Sequence, residues 1–189
     1  FSGADLSGAN LGFATLRRAN FSGANLSDAN LSEAILNGDD LTGTGANLNG
    51  VNLSYTYISN ANLSGLDLSN ANLQNAELRN ANLSGADLSN TNLSRTELPN
   101  ANLSGADLSD ANLFMTWLSG ANLQNANLSG AELSNTDLSG ADLTDANLSG
   151  ADLSNAFLTD VIGENLTCCP SALPTGWVCE DNSLIEGLE

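Results

Sequence analysis

Apolar positions recur along this chain every five residues. From Ala4 it reads Ala-Asp-Leu-Ser-Gly, Ala-Asn-Leu-Gly-Phe, Ala-Thr-Leu-Arg-Arg: a small residue, a polar one, a large apolar centre and two turn-prone residues. Centres fall at Phe1, Leu6, Leu11, Leu16, Phe21, Leu26, Leu31, Leu36 and Leu41. An insertion near 42–45 breaks the register, and centres resume at Leu48 and run through Leu53 and Ile58 to Leu158. A period of five suits neither an α-helix nor a heptad coiled coil. Small-in, polar-out, large-in is the alternation of a short strand, and the pairs that follow, Ser-Gly, Ser-Asn or Asn-Gly, favour corners. One repeat cannot bury its own Leu, whereas stacked coils can. The pattern predicts an all-β solenoid with a narrow Leu core, Ala packed beside it, and Phe1 and Phe21 inside as centres.

The recurring Ala-(Asp/Asn)-Leu-X-X motif resembles the pentapeptide-repeat family over roughly Phe1 to Val161, in the regular Ala-Asn-Leu-Ser-Gly style of its cyanobacterial members. The resemblance implies a right-handed parallel quadrilateral β-helix of about eight four-sided coils, roughly 38 Å long at about 4.8 Å per stacked strand. The chain then divides into a repeat β-helix over 1–160, with its loop-like insertion near 42–45, and a non-repeat C-terminal capping tail over 161–189.

On a four-sided coil, every fourth repeat returns to the same face. Three faces carry almost only Asn and Asp outward. The fourth carries Thr15, Ile35, Tyr57, Glu77, Glu97, Trp117, Asp137 and Phe157. Arg17, Arg18 and Arg79 fall on this variable face, and Phe13, Tyr55, Arg95 and Met115 at the corner leading into it, with Phe114 beside Met115. Placing Phe13, Arg17 and Arg18 there assumes that the insertion leaves the order of faces intact. Tyr55, Tyr57, Arg79, Arg95, Glu97, Phe114, Met115 and Trp117 form the candidate face for an unidentified protein partner. Phe114, Met115 and Trp117 are expected to make an exposed apolar patch, a feature that marks contacts, and Trp, Met and Arg are enriched at interface cores.

Charge narrows the classes. The net charge is -18, with four cationic residues, all Arg. Neutralising nucleic-acid phosphates needs basic side chains, so no direct nucleic-acid binding is expected. No apolar stretch is long enough to cross a bilayer, so no membrane insertion is expected. There is no His, the commonest general base. Ser and Asp are abundant, but the repeat places them. No catalytic set, cofactor site or metal site emerges, and stacked Asp67, Asp87 and Asp107 read as solvated carboxylates rather than calcium ligands. The Asn columns suggest amide ladders along the stack. Asp39, in a column where Ala is normal, suggests a bulge beside the insertion, and Leu66 in such a column a swelling of the core.

In the tail, a disulfide from Cys179 to Cys168 or Cys169 would staple a loop over the open end, with Trp177, Val178 and Leu173 as apolar cover. The alternative is reduced thiols in the cytoplasm. A disulfide would point to an extracytoplasmic location, the periplasm or thylakoid lumen. The chain is expected to be a monomer or a weak end-to-end or face dimer. Two functions remain: a non-catalytic structural or protein-interaction scaffold, and a DNA-mimicking inhibitor or protector of DNA gyrase, as the resemblance implies for some relatives. The scattered acidic residues and the sparsely apolar C-terminal end favour the scaffold.

Overall fold

A computed structural model describes residues 1–17, 19–36 and 46–187. Each repeat makes one side of a coil. The polar residue before the centre forms a parallel bridge to its counterpart one coil on, as in Asn72–Asn92, Glu97–Trp117 and Asp107–Asn127. Centres donate to the next coil, with Leu78 N–H on the Glu97 carbonyl at 2.7 Å. Their own carbonyls close the corner by accepting from the residue three on, as Leu68 does from Ala71 at 3.1 Å. The second corner residue takes a left-handed conformation, with φ of 56° at Asn90 and 65° at Gly105. Gly, Asn and Asp tolerate that region best, which accounts for the Ser-Gly and Ser-Asn corners.

Across the insertion the pairs are Asn25–Asn47, Asn30–Asn52 and Ile35–Tyr57, so the extra residues leave the order of faces intact. The insertion near 42–45, Asp39 and Arg18 lie outside the described residues. Leu and Ala columns from Leu16 onward fill the core, and Leu66 is buried with them. Phe1 departs from expectation. It is 51% exposed, because the following coil covers it on one side alone. Its ring stacks on that of buried Phe21, with centroids 5.3 Å apart.

Coil pairing continues beyond the regular repeat, with Ile162, Cys168 and Ala172 bridging Asp142, Asn147 and Asp152. An antiparallel hairpin follows, β1 (Trp177–Glu180) and β2 (Ser183–Glu186), with Trp177 opposite Glu186 and Glu180 opposite Ser183. Its Asp181–Asn182 loop has positive φ at both residues, the signature of a type I′ turn. Strand alternation turns Trp177 and Cys179 toward the core and Val178 outward, so Val178 does not serve as cover. Leu184 does. It is buried, its N–H donates to the Gly163 carbonyl at 2.8 Å, and its side chain lies so close that a Cβ on Gly163 would meet it at 2.9 Å. Cys169 and Cys179 form a disulfide with Cα atoms 6.0 Å apart, while Cys168 is free and exposed.

Candidate functional site

The variable face is a continuous column. Thr15, Ile35, Tyr57, Glu77, Glu97, Trp117, Asp137 and Phe157 bridge in that order. Among the described residues within 2–160, the exposed large apolar side chains are Phe13, Tyr55, Tyr57, Met115, Trp117 and Phe157, and all lie on this face or its leading corner. The other faces carry the amide ladders. Asn72 Nδ2 donates to Asn52 Oδ1 at 3.2 Å, while its own Oδ1 accepts from Asn92 Nδ2 at 3.2 Å and from the Gln74 N–H at 3.2 Å.

The leading corner is built under strain. Among the described residues, five other than Gly, Asn or Asp have positive φ: Phe13 (62°), Glu33 (59°), Tyr55 (58°), Arg95 (59°) and Met115 (56°). All five occupy this one column, which Asn75, Asn135 and Asn155 fill elsewhere. Bulky side chains with positive φ are uncommon and cost on the order of 1–2 kcal/mol each.

Beneath the face, Thr replaces Ala at Thr56, Thr96, Thr116 and Thr136, all fully buried. The Oγ1 atoms of Thr96, Thr116 and Thr136 donate to the carbonyls of Leu73, Leu93 and Leu113 one coil back, at 2.7, 2.6 and 2.6 Å. Sequence reading missed this seam, although Thr recurring in a single Ala column was its signal.

Trp117 stands between two open hollows. One, of about 350 Å³, is lined by Asn75, Arg95, Glu97, Met115 and Trp117. The other, of about 330 Å³, is lined by Trp117, Asp137, Ser139, Phe157 and Thr159. Arg79 joins the first through an ion pair with Glu97. Arg95 makes no ion pair among the described residues. Tyr55 and Tyr57 share the face but stand coils away from Trp117 and line neither hollow. Phe114 is half-buried. Its N–H donates to Asn112 Oδ1 at 3.0 Å and its carbonyl accepts from the Arg95 N–H at 2.9 Å. The exposed patch is therefore Met115 and Trp117 with Phe157, rather than Phe114. Phe157, which the sequence places on the variable face but not among the candidate contact residues, stands two coils after Trp117.

Hydrogen bonds shape the carboxylates of the neighbouring faces. The side chain and N–H of Ser154 hold Asp152 below the usual carboxylate range. Burial pushes Asp142 up, but bonds from the Thr144 hydroxyl and N–H and the Gln124 amide outweigh it and leave the group lowered. Ser7 likewise lowers Asp5 through its hydroxyl and N–H. Among the described residues, no group of three or more His, Cys, Asp or Glu is placed to hold a metal ion, and no helix is long and apolar enough to cross a membrane.

Solved structures similar to this chain include pentapeptide repeat proteins. A trypsin-treated form of QnrB1, a plasmid-mediated fluoroquinolone resistance protein, aligns with a TM-score of 0.62 at 21% identity, over 90% of this chain and 78% of that one. HetL of the cyanobacterium Nostoc, a pentapeptide repeat protein involved in heterocyst differentiation regulation, is 31% identical over 82% of this chain and 86% of its own, with a TM-score of 0.31. Rfr23 of the cyanobacterium Cyanothece is 30% identical over 82% and 88%, with a TM-score of 0.25. No curated protein matches the chain. The family model for pentapeptide repeats matches in eight copies, over residues 1–38, 46–85, 76–113, 86–125 and 121–160. With its five-residue sides, four-sided coils and single-residue bridges, the chain belongs to the pentapeptide repeat family of right-handed quadrilateral β-helices.

Proposed function

We propose that this protein is a non-catalytic scaffold that docks another protein on its variable face, with Met115 and Trp117 as anchors. One observation carries this: the strained corner residues are confined to a single column, beside the exposed rings. Drift at permissive positions would scatter bulky left-handed residues over all four corners. Strain concentrated on one surface is what a function maintained against stability produces. The absence of His and the repeat's own placement of Ser and Asp support a role without catalysis. The Cys169–Cys179 bridge supports an oxidising compartment, the periplasm or thylakoid lumen. Alkylation of the native protein before any reduction should leave two of its three cysteines unmodified.

The test is affinity capture from native lysate, comparing the wild-type chain with a Met115→Asn/Trp117→Ser variant of verified β-helical circular dichroism. A protein captured by the first and lost by the second is expected. Lanes that do not differ, with sedimentation equally unchanged, would remove the docking role from this face. DNA mimicry is the second reading, favoured by the net charge of -18 on a rod. The likeness to QnrB1 is one of fold and adds nothing to it. Gyrase supercoiling unaffected by a large excess of the protein would eliminate it.

A further inference from the structure

We propose that the Trp117–Asp137–Phe157 cleft is a receptor for a basic side chain, an arginine or lysine of the docked partner. This rests on the variable face being a docking surface and names the chemistry it reads.

Asp137 is the bridge partner of Trp117 on one side and of Phe157 on the other. The outward side chains of three successive coils thus run ring, carboxylate, ring, and together they line one hollow with Ser139 and Thr159. Trp117 is 53% exposed and Phe157 61%. Two rings exposed in one column offer a partner apolar area on either side of the carboxylate. One carboxylate oxygen is fixed in place, because Asp137 Oδ1 accepts the Ser139 N–H at 3.0 Å. Its second oxygen takes no bond among the described residues. Adjacent strands lie about 4.8 Å apart. A cation held over Asp137 therefore lies about one strand spacing from the coil of each ring, within the ~6 Å range of attraction to an aromatic ring.

Charge selects the occupant. All four Arg of the chain precede Thr96, so nothing in the coils around Asp137 or beyond offers a positive charge, while Glu132, Asp142 and Asp152 stand on the neighbouring faces of the same and the next coil. An anionic or neutral group would find the carboxylate unpaired. A guanidinium or ammonium group would gain the carboxylate and both rings. The hollow on the other side of Trp117 has the opposite supply, an Arg95 without an ion-pair partner among the described residues, so the two hollows hold the partner in one direction.

The probe is acetylated tetra-arginine amide, with the neutral tetra-citrulline peptide as control, followed by the indole N–H resonances of Trp117 and Trp177. We expect the arginine peptide to shift Trp117 saturably and the citrulline peptide not to. Asp137→Asn should weaken the peptide at least fivefold. Asp107→Asn removes the same charge from a different face, where Asn suits the ladder, and should change affinity by less than twofold. General attraction to an acidic rod would weaken both variants alike. Equal weakening, or an unmoved Trp117 resonance, would overturn the proposal. If Met115→Asn/Trp117→Ser still loses its captured protein while Asp137→Asn keeps it, the face docks a partner and the cation receptor alone fails.

Discussion

Thr96 donates its hydroxyl to the carbonyl of Leu73, 23 residues earlier and one coil back, at 2.7 Å. The same carbonyl accepts the Ala76 N–H at 3.0 Å, so the bond adds to a closed corner. Repeated at Thr116 and Thr136, it laces together four successive coils, that of Trp117 among them. Thr96→Val keeps the shape and removes the bond. Urea unfolding should register a loss of about 1 kcal/mol, with the fold retained. No loss would mean that the hydroxyl merely fills space.

Met115 is held at a φ of 56°, in a column where Asn75, Asn135 and Asn155 take the same conformation. Met115→Asn should relieve strain and stabilise the solenoid by about 0.5–1 kcal/mol, while reducing capture of any partner docked there. Thermal melts and capture on the same variant test both halves. A variant that is both less stable and fully competent would contradict them.

Asn72 stands inside a ladder, giving one side-chain bond and receiving two. Asn10 stands at its end, receiving from Asn30 and the Gly12 N–H. Asn72→Ala should cost about 2–3 kcal/mol, given about 1 kcal/mol per bond. Asn10→Ala, at the exposed first coil, should cost less. Denaturant midpoints of the two variants give the ranking.

Removing the Cys169–Cys179 bridge should loosen the cap and spare the rod. Closing a loop of this separation is worth roughly 2–3 kcal/mol in the chain-entropy picture, and each coil contacts chiefly its neighbours. In Cys179→Ser, amide exchange should quicken at Leu184, which donates to Gly163, and at Leu166, which donates to Asn182. Amides of the middle coils should keep their protection.

Asp142 and Asp152 titrate below the ordinary carboxylate value in the folded chain. Their contribution to stability is therefore present above the unfolded-state pKa and is lost as pH falls through the lowered folded values. Thr144→Val deletes a hydroxyl bond to Asp142 that measures 2.6 Å. Carbon-detected titration should show the Asp142 pKa rising and that of Asp152 unmoved.

The five-residue period determined the coil, its corners and its core. Its cause is local: an apolar centre every fifth position can be buried only by stacking, and Gly, Asn and Asp after it accept the left-handed turn. Grouping repeats by coil likewise picked out Met115, Trp117, Arg95 and Glu97 as one surface, because outward positions repeat in register. Tertiary structure decided what depends on neighbouring coils. It carried the order of faces across the insertion, since that rests on bridges such as Ile35–Tyr57. It half-buried Phe114, whose backbone is held between Asn112 and Arg95. It paired Cys179 with Cys169, because Cys168 takes the outward bridging position opposite Asn147 and is left exposed. It also gathered Trp117, Asp137 and Phe157, which the sequence places in one outward column, around a single hollow.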